Sequence, residues 1–238
     1  MSKPTQHTAL LVFTRTSKNE AVHKTFVNTV STKANERIAQ KLIEHTLITA
    51  QKTGLPVFVC YDTHQKGDTF GERFANAFED IFAKGYTNII AIGNDCPFLT
   101  KELILEAQAQ FAQKSCVIGP TKDGGTYLLG LTQKAYQREA FIGLAWETEN
   151  LLNDLAQYQE KLGLQAAVLT KLYDIDNTKD FTTALSIIVK TNRSLFQELQ
   201  KVLQKYAIRS ITKCYKNPFQ NPTSSQLTFT LRGPPTAI

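Results

Sequence analysis

The stretch Asn88-Ile89-Ile90-Ala91-Ile92-Gly93-Asn94-Asp95-Cys96-Pro97 decides the fold. After Asn88 it is an unbroken apolar run, too short for a helix and apolar at both alternating positions. That is the pattern of a strand buried on both faces of a parallel sheet. Gly93 and Pro97 break it, and Asp95 stands just past its carboxyl end. In open α/β sheets ligands bind beyond the carboxyl ends of the strands, so an acid there is a candidate functional group.

Outward from this strand, strand-like and helix-like segments alternate. Strands are predicted over Thr8–Thr14, Leu55–Tyr61, Ser115–Gly119, Thr126–Leu131 and Gln165–Thr170. Helices are predicted over Ala34–Lys52 (apolar at 38, 42, 43, 47 and 48), over Gly71–Lys84 (Phe74, Phe78, Ile81, Phe82), and after Thr100, Thr148 and Thr178. The apolar spacings follow a helical face, and threonine is a good N-cap. Strands separated by helices predict βαβ units, hence a three-layer α/β/α domain around a mostly parallel, mixed sheet.

The chain has 238 residues, 42% hydrophobic and 20% charged, which excludes wholesale disorder. Its apolar runs fall far short of the ~20 residues of a membrane helix, so no membrane span is expected. Met1–Thr8 is polar, which predicts no secretory signal. Cys60, Cys96, Cys116 and Cys214 form no CxxC pair, so they read as reduced thiols of a cytoplasmic protein without zinc or disulfides. The net charge of +6 is uneven. Residues 187–238 hold eight Lys or Arg and one acid, while residues 1–186 are close to neutral. We therefore divide the chain into a body, 1–186, and a basic extension, 187–238. The extension holds an amphipathic helix (Leu195, Leu199, Val202, Leu203, Tyr206), a linker over Asn217–Ser225 and a strand-like Gln226–Leu231 that could pack on the body or on a sister subunit of a homodimer. Charge on such a helix is ordinarily a solvated face, so nucleic acid is not the expected partner.

Three strand ends carry acids: Asp95; Asp123 in Lys122-Asp123-Gly124-Gly125; and Asp174 and Asp176 after the last body strand. Carboxylates gathered at one edge suit Mg²⁺ held together with substrate phosphates. Each also has a plainer reading: Asp95 as a turn aspartate, Asp123-Gly124-Gly125 as a tight hairpin, Asp174 and Asp176 as loop acids before a helix. GxSxG, GxxxxGK[ST] and GxGxxG motifs are absent, and the four histidines form no nucleophile–base pair, so hydrolase, P-loop and dehydrogenase readings have no support.

Four ordered motifs carry a family resemblance: Ile92–Leu99; Ile118–Leu131 with its Asp123-Gly124-Gly125; Ala145-Trp146-Glu147-Thr148; and Tyr173–Asp180. Gly71-Glu72-Arg73 with Ala77-Phe78 adds to them. Over about residues 8–185 the chain resembles the bacterial selenodomain-associated transferase 1 family of the glycosyltransferase-A, or nucleotide-diphospho-sugar transferase, fold. The resemblance implies a metal-dependent glycosyl- or nucleotidyltransferase using a nucleotide or sugar nucleotide and a small-molecule acceptor. It implies Asp95 and Asp123 as catalytic residues and Asp95 and Asp176 as ligands of Mg²⁺ or Mn²⁺. Arg15, Lys24, Thr25, Gly71, Glu72 and Arg73 would bind the nucleotide, and Gly124, Gly125 and Trp146 the second substrate. The first loop departs from the family pattern: Lys24-Thr25 is kept, but Phe26 stands where Arg is expected. Phe offers none of the bidentate phosphate contacts of Arg. That departure motivates an alternative, a non-catalytic descendant that binds a metabolite or a protein.

Overall fold

The structure is a computed structural model that describes residues 7–28 and 32–206. It contains one six-stranded sheet, in the order β2-β1-β3-β5-β4-β6, built from β1 (Thr8–Thr14), β2 (Val57–Tyr61), β3 (Asn88–Ile92), β4 (Cys116–Pro120), β5 (Thr126–Thr132) and β6 (Ala166–Val168). β1 runs parallel to β2 and β3, and β4 parallel to β6, while β5 is antiparallel to both of its neighbours. Five strands therefore point one way and β5 alone is reversed. The carboxyl ends of β1, β3, β4 and β6 lie along a single edge.

Each central strand feeds two cores by its period-two alternation. Ala9, Leu11, Ile89 and Ala91 face one side, packed against α3 (Phe70–Phe82), α5 (Arg138–Ile142) and α6 (Leu151–Lys161). Leu10, Val12, Ile90 and Ile92 face the other, where α2 (Thr32–Gln51) and α4 (Lys101–Gln110) lie. The helices begin where the sequence offers caps. Thr69 and Glu72 close a capping box on α3, Thr100 caps α4 through Leu103 N–H, and Asn177 caps α7 (Thr178–Thr191) through Lys179 and Asp180 N–H. Thr148 does not cap α6: its hydroxyl donates to Ala145 O and accepts from Asn150 N–H, and the helix starts three residues on. The last body strand is shorter than the apolar run predicts. β6 pairs with β4 alone, and beyond Val168 only Leu169 N–H and Leu172 N–H still reach the neighbouring strand. The short α1 (Ser17–His23) forms where no element was predicted.

The amphipathic helix predicted from Leu195, Leu199, Val202, Leu203 and Tyr206 is α8 (Arg193–Lys205), which ends just before Tyr206. Its Leu195, Leu199, Val202 and Leu203 close a core with α2 and α7. The division placed at 186/187 falls inside α7. The linker Asn217–Ser225 and the strand-like Gln226–Leu231 lie outside the described residues. No helix among the described residues is long and apolar enough to cross a membrane. Leu199 is fully buried, so Leu199→Ala should lower the unfolding free energy by about 2–5 kcal/mol. Urea denaturation would check this; a change within about 0.5 kcal/mol is what a solvated surface helix would give.

Candidate functional site

The strand-end edge opens into a cleft of about 830 Å³. Arg15, Lys24, Arg73, Asp95, Asp123, Gly125, Trp146 and Asp176 line it, and so do Glu20 and Asp174. Its first wall is the segment after β1. Asp62, at the end of β2, accepts Thr16 N–H at 2.9 Å and so occupies the start of α1. Asn35 of α2 accepts Phe26 and Val27 N–H, each at 2.9 Å, which pins the loop from below. Phe26 is buried edge-on against Phe181 in the α2–α7–α8 core. The residue standing at the family's Arg position is thus a core residue here, facing away from the cleft.

Lys24 is the centre of this wall. Its Nζ lies 2.7 Å from Asp176 Oδ1, 2.9 Å from Asp95 Oδ2, 3.0 Å from Ile175 O and 3.7 Å from Glu20 Oε1, and its side chain is 10% exposed. Burial alone would pull its pKa down; the charges of Asp95, Glu20 and Asp176 outweigh burial and hold it above the ordinary lysine range. Asp95 responds in kind: burial would raise its pKa, but Lys24 holds it below the usual carboxylate value. The expected pair Asp95 and Asp176 does meet, around an ammonium. The resemblance implies Lys24 as a nucleotide-binding residue; in the structure its bonds go to carboxylates and a carbonyl. Glu20, unforeseen in the sequence, is buried between Lys24 and Arg15, 3.6 Å from the guanidinium, and accepts from Asn94 Nδ2. Arg15 also reaches Glu147 across the cleft at 3.1 Å. Glu147 has φ 60°, a left-handed backbone that L side chains rarely adopt.

The carboxylates that can share a cation are Asp123, Asp174 and Asp176, with one oxygen from each within 4.8 Å of the others. Asp123 accepts from Thr121 Oγ1 and from Gly125 N–H. The Asp123-Gly124-Gly125 stretch is therefore the hairpin turn between β4 and β5, as its plainer reading held, and still presents its acid to the cluster. Burial first, then the charges of Asp95, Asp123 and Asp176, push the pKa of Asp174 up to about 7. Three carboxylate oxygens this close together fit Mg²⁺ or Mn²⁺. The resemblance implies Asp95 and Asp176 as the metal ligands; among the described residues the three carboxylate oxygens close enough to share an ion are those of Asp123, Asp174 and Asp176. Asp174 stood in the sequence as a strand-end acid, and only its proximity to Asp123 singles it out.

The other expected site residues make contacts of their own within the fold. The Thr25 carbonyl accepts from Thr178. Glu72 accepts the Asp68 and Thr69 N–H groups as part of the α3 cap. Gly71 is a packing glycine, where a Cβ would stand 2.5 Å from Ile142 O. Gly124, at φ +103°, would put one 2.6 Å from Glu149 O. Trp146 does both: its Nε1 donates to Phe141 O and its ring joins Phe70, Phe74 and Phe141, while one side faces the cleft.

The fold is that of the nucleotide-diphospho-sugar transferases and cytidylyltransferases. A protein of Desulfovibrio desulfuricans G20, described provisionally as a nucleotide-diphospho-sugar transferase, superposes with a TM-score of 0.72 over 84% of this chain and 98% of its own, at 18% identity. The 4-diphosphocytidyl-2C-methyl-D-erythritol synthase of Anaerococcus prevotii DSM 20548 covers 77% of this chain and 98% of its own, with a TM-score of 0.51 and 13% identity. Residues 32–148 match the model of a family described as "Uncharacterized protein conserved in bacteria (DUF2064)". Among curated proteins none matches.

A carboxyl whose pKa is raised on folding favours the native state below its unfolded pKa and loses that contribution as pH rises through the folded value. For Asp174 the loss runs from about pH 4 to about pH 7. Asp174→Asn should therefore raise the unfolding free energy at pH 8 by about 1–3 kcal/mol, and the gain should vanish near pH 4. Thermal unfolding across that range measures it.

Proposed function

We propose that this protein is a divalent-metal-dependent nucleotidyl- or glycosyltransferase acting on a nucleotide or sugar nucleotide with a small-molecule acceptor, of the kind its resemblance to the selenodomain-associated transferases implies. One observation carries the reading: the Asp123–Asp174–Asp176 oxygens converge at the strand-end edge of a cleft. The charge of the cleft supports it. Eight carboxyl side chains line it against three basic ones, Arg15, Lys24 and Arg73, and one histidine. An anionic nucleotide alone is repelled by such a field, whereas its complex with a divalent cation is not.

Asp123, Asp174 and Asp176 would hold Mg²⁺ or Mn²⁺, which when bound polarises a phosphoryl oxygen and neutralises developing charge. Arg15 and Arg73 would face the phosphates from the β1 and α3 sides of the cleft. Gly125 and the exposed side of Trp146 would bound the acceptor. Asp95 would act through Lys24, holding its ammonium in place. The site would work by positioning and by charge rather than by covalent chemistry of its own. We place the activity in the cytoplasm, where nucleotides are supplied and thiols stay reduced. A non-catalytic binder is the second reading, favoured by the first loop, whose Lys24 and Arg15 are both engaged by carboxylates.

Thermal unfolding with CTP, UTP or a UDP-sugar, each with and without Mn²⁺, tests the proposal. A ligand at a hundred times its Kd adds about 2.7 kcal/mol, an upward shift of about 5–10 °C for a chain of this size. The shift should need nucleotide and Mn²⁺ together, and should be lost in Asp123→Asn. A shift that ignores both the metal and Asp123→Asn would favour the binder. No shift with any nucleotide would overturn the nucleotide reading.

A further inference from the structure

We infer that the Lys24 ammonium is a resident cation that closes the Asp95–Asp176 pair to metal, and so confines any divalent ion to the Asp123–Asp174 side of the cluster. Oxygens from three segments converge on one point: Asp95 Oδ2 from the end of β3, Asp176 Oδ1 and Ile175 O from the segment after β6, and Glu20 Oε1 from α1. An arrangement of two carboxylates and a carbonyl is a cation site by its chemistry, and its occupant here is covalently part of the chain. The three nearest oxygens stand 2.7–3.0 Å from the nitrogen, hydrogen-bond distances, whereas Mg²⁺ demands oxygens at about 2.0–2.1 Å. A second cation at that point would face both a cage sized for ammonium and the ammonium's own charge.

Asp176 is the joint between the two halves. It gives Oδ1 to Lys24 and also belongs to the trio with Asp123 and Asp174. Lys24 is therefore a positioning residue. It orients the Asp176 carboxylate and neutralises Asp95. The inference rests on the proposed function only in placing a metal at the trio; the ammonium cage stands without it.

The test is Mn²⁺ binding to the whole protein, without nucleotide, by titration calorimetry and by the paramagnetic resonance signal of free Mn²⁺. The wild type should bind one ion per chain. Asp123→Asn should weaken binding at least about tenfold, as loss of a ligand does, while Asp95→Asn should change it by less than about threefold. Lys24→Met keeps an unbranched side chain as far as the Cε position and removes the ammonium. It should admit a second ion per chain, and that gain should disappear in the double variant Lys24→Met/Asp95→Asn. A folded Lys24→Met, judged by circular dichroism, that binds no ion beyond those of the wild type overturns the inference. So does a tenfold loss in Asp95→Asn alone, and that comparison decides the matter if Lys24→Met does not fold. A wild type that binds no Mn²⁺ beside a Lys24→Met that binds one would uphold the cage and remove the metal from the proposed function.

Discussion

The buried ammonium of Lys24 is the constraint on which the cleft depends. A charge withdrawn from water must be compensated locally or the group gives up its proton. Here the compensating groups come from chain positions far from Lys24, namely Asp95 and Asp176, with Glu20 one helical turn before it. The interaction therefore ties the loop after β1 to the ends of β3 and β6. Asp95 adds a backbone tie of its own, accepting Ile175 N–H at 2.9 Å. The result is an electrostatic division within a few ångströms. Asp95 is neutralised and held below the ordinary carboxylate range, whereas Asp174 is pushed up to about 7 by burial and neighbouring acids. A cost of that kind at a strand-end cleft is what a ligand-binding site tolerates in exchange for attraction to a cation.

The sheet supplies the geometry that makes the division possible. With five strands parallel, five carboxyl ends lie on one edge, and the reversed β5 brings its hairpin with β4 to that same edge, carrying Asp123. Close contacts keep the frame rigid. A Cβ on Gly119 would stand 2.4 Å from the Tyr127 ring, and Gly71 lets α3 meet the backbone of Ile142. The opposite wall is an aromatic layer of Phe13, Phe70, Phe74 and Trp146, so the cleft is acidic at one end and apolar at the other.

Several parts of this were legible in the chain itself. The apolar run through Ile92, the helical spacing of Phe74, Phe78, Ile81 and Phe82, and the cap at Thr100 are local patterns, and local patterns follow from neighbouring residues. The acids were legible as strand-end acids. Their partnership was not. The resemblance implied Asp95 and Asp176 as a metal pair, and nothing in the spacing shows that a lysine seventy-one residues before Asp95 stands between them. Phe26 is a second instance. As a departure from a motif it suggested a damaged phosphate loop, whereas its side chain is a core contact of the helical layer.

The amino-acid sequence by itself determined the alternation of strands and helices, the edge at which the acids gather and the amphipathic character of α8, because each depends on periodicity and on turn residues close in the chain. The tertiary structure alone decided which charges neutralise one another: that Lys24 takes Asp95 and Asp176, that Glu20 sits buried beneath Arg15, and that burial and neighbouring acids raise the pKa of Asp174. The physical reason is that charge compensation falls off over a few ångströms, and only the folded chain brings residues from four distant segments within that range.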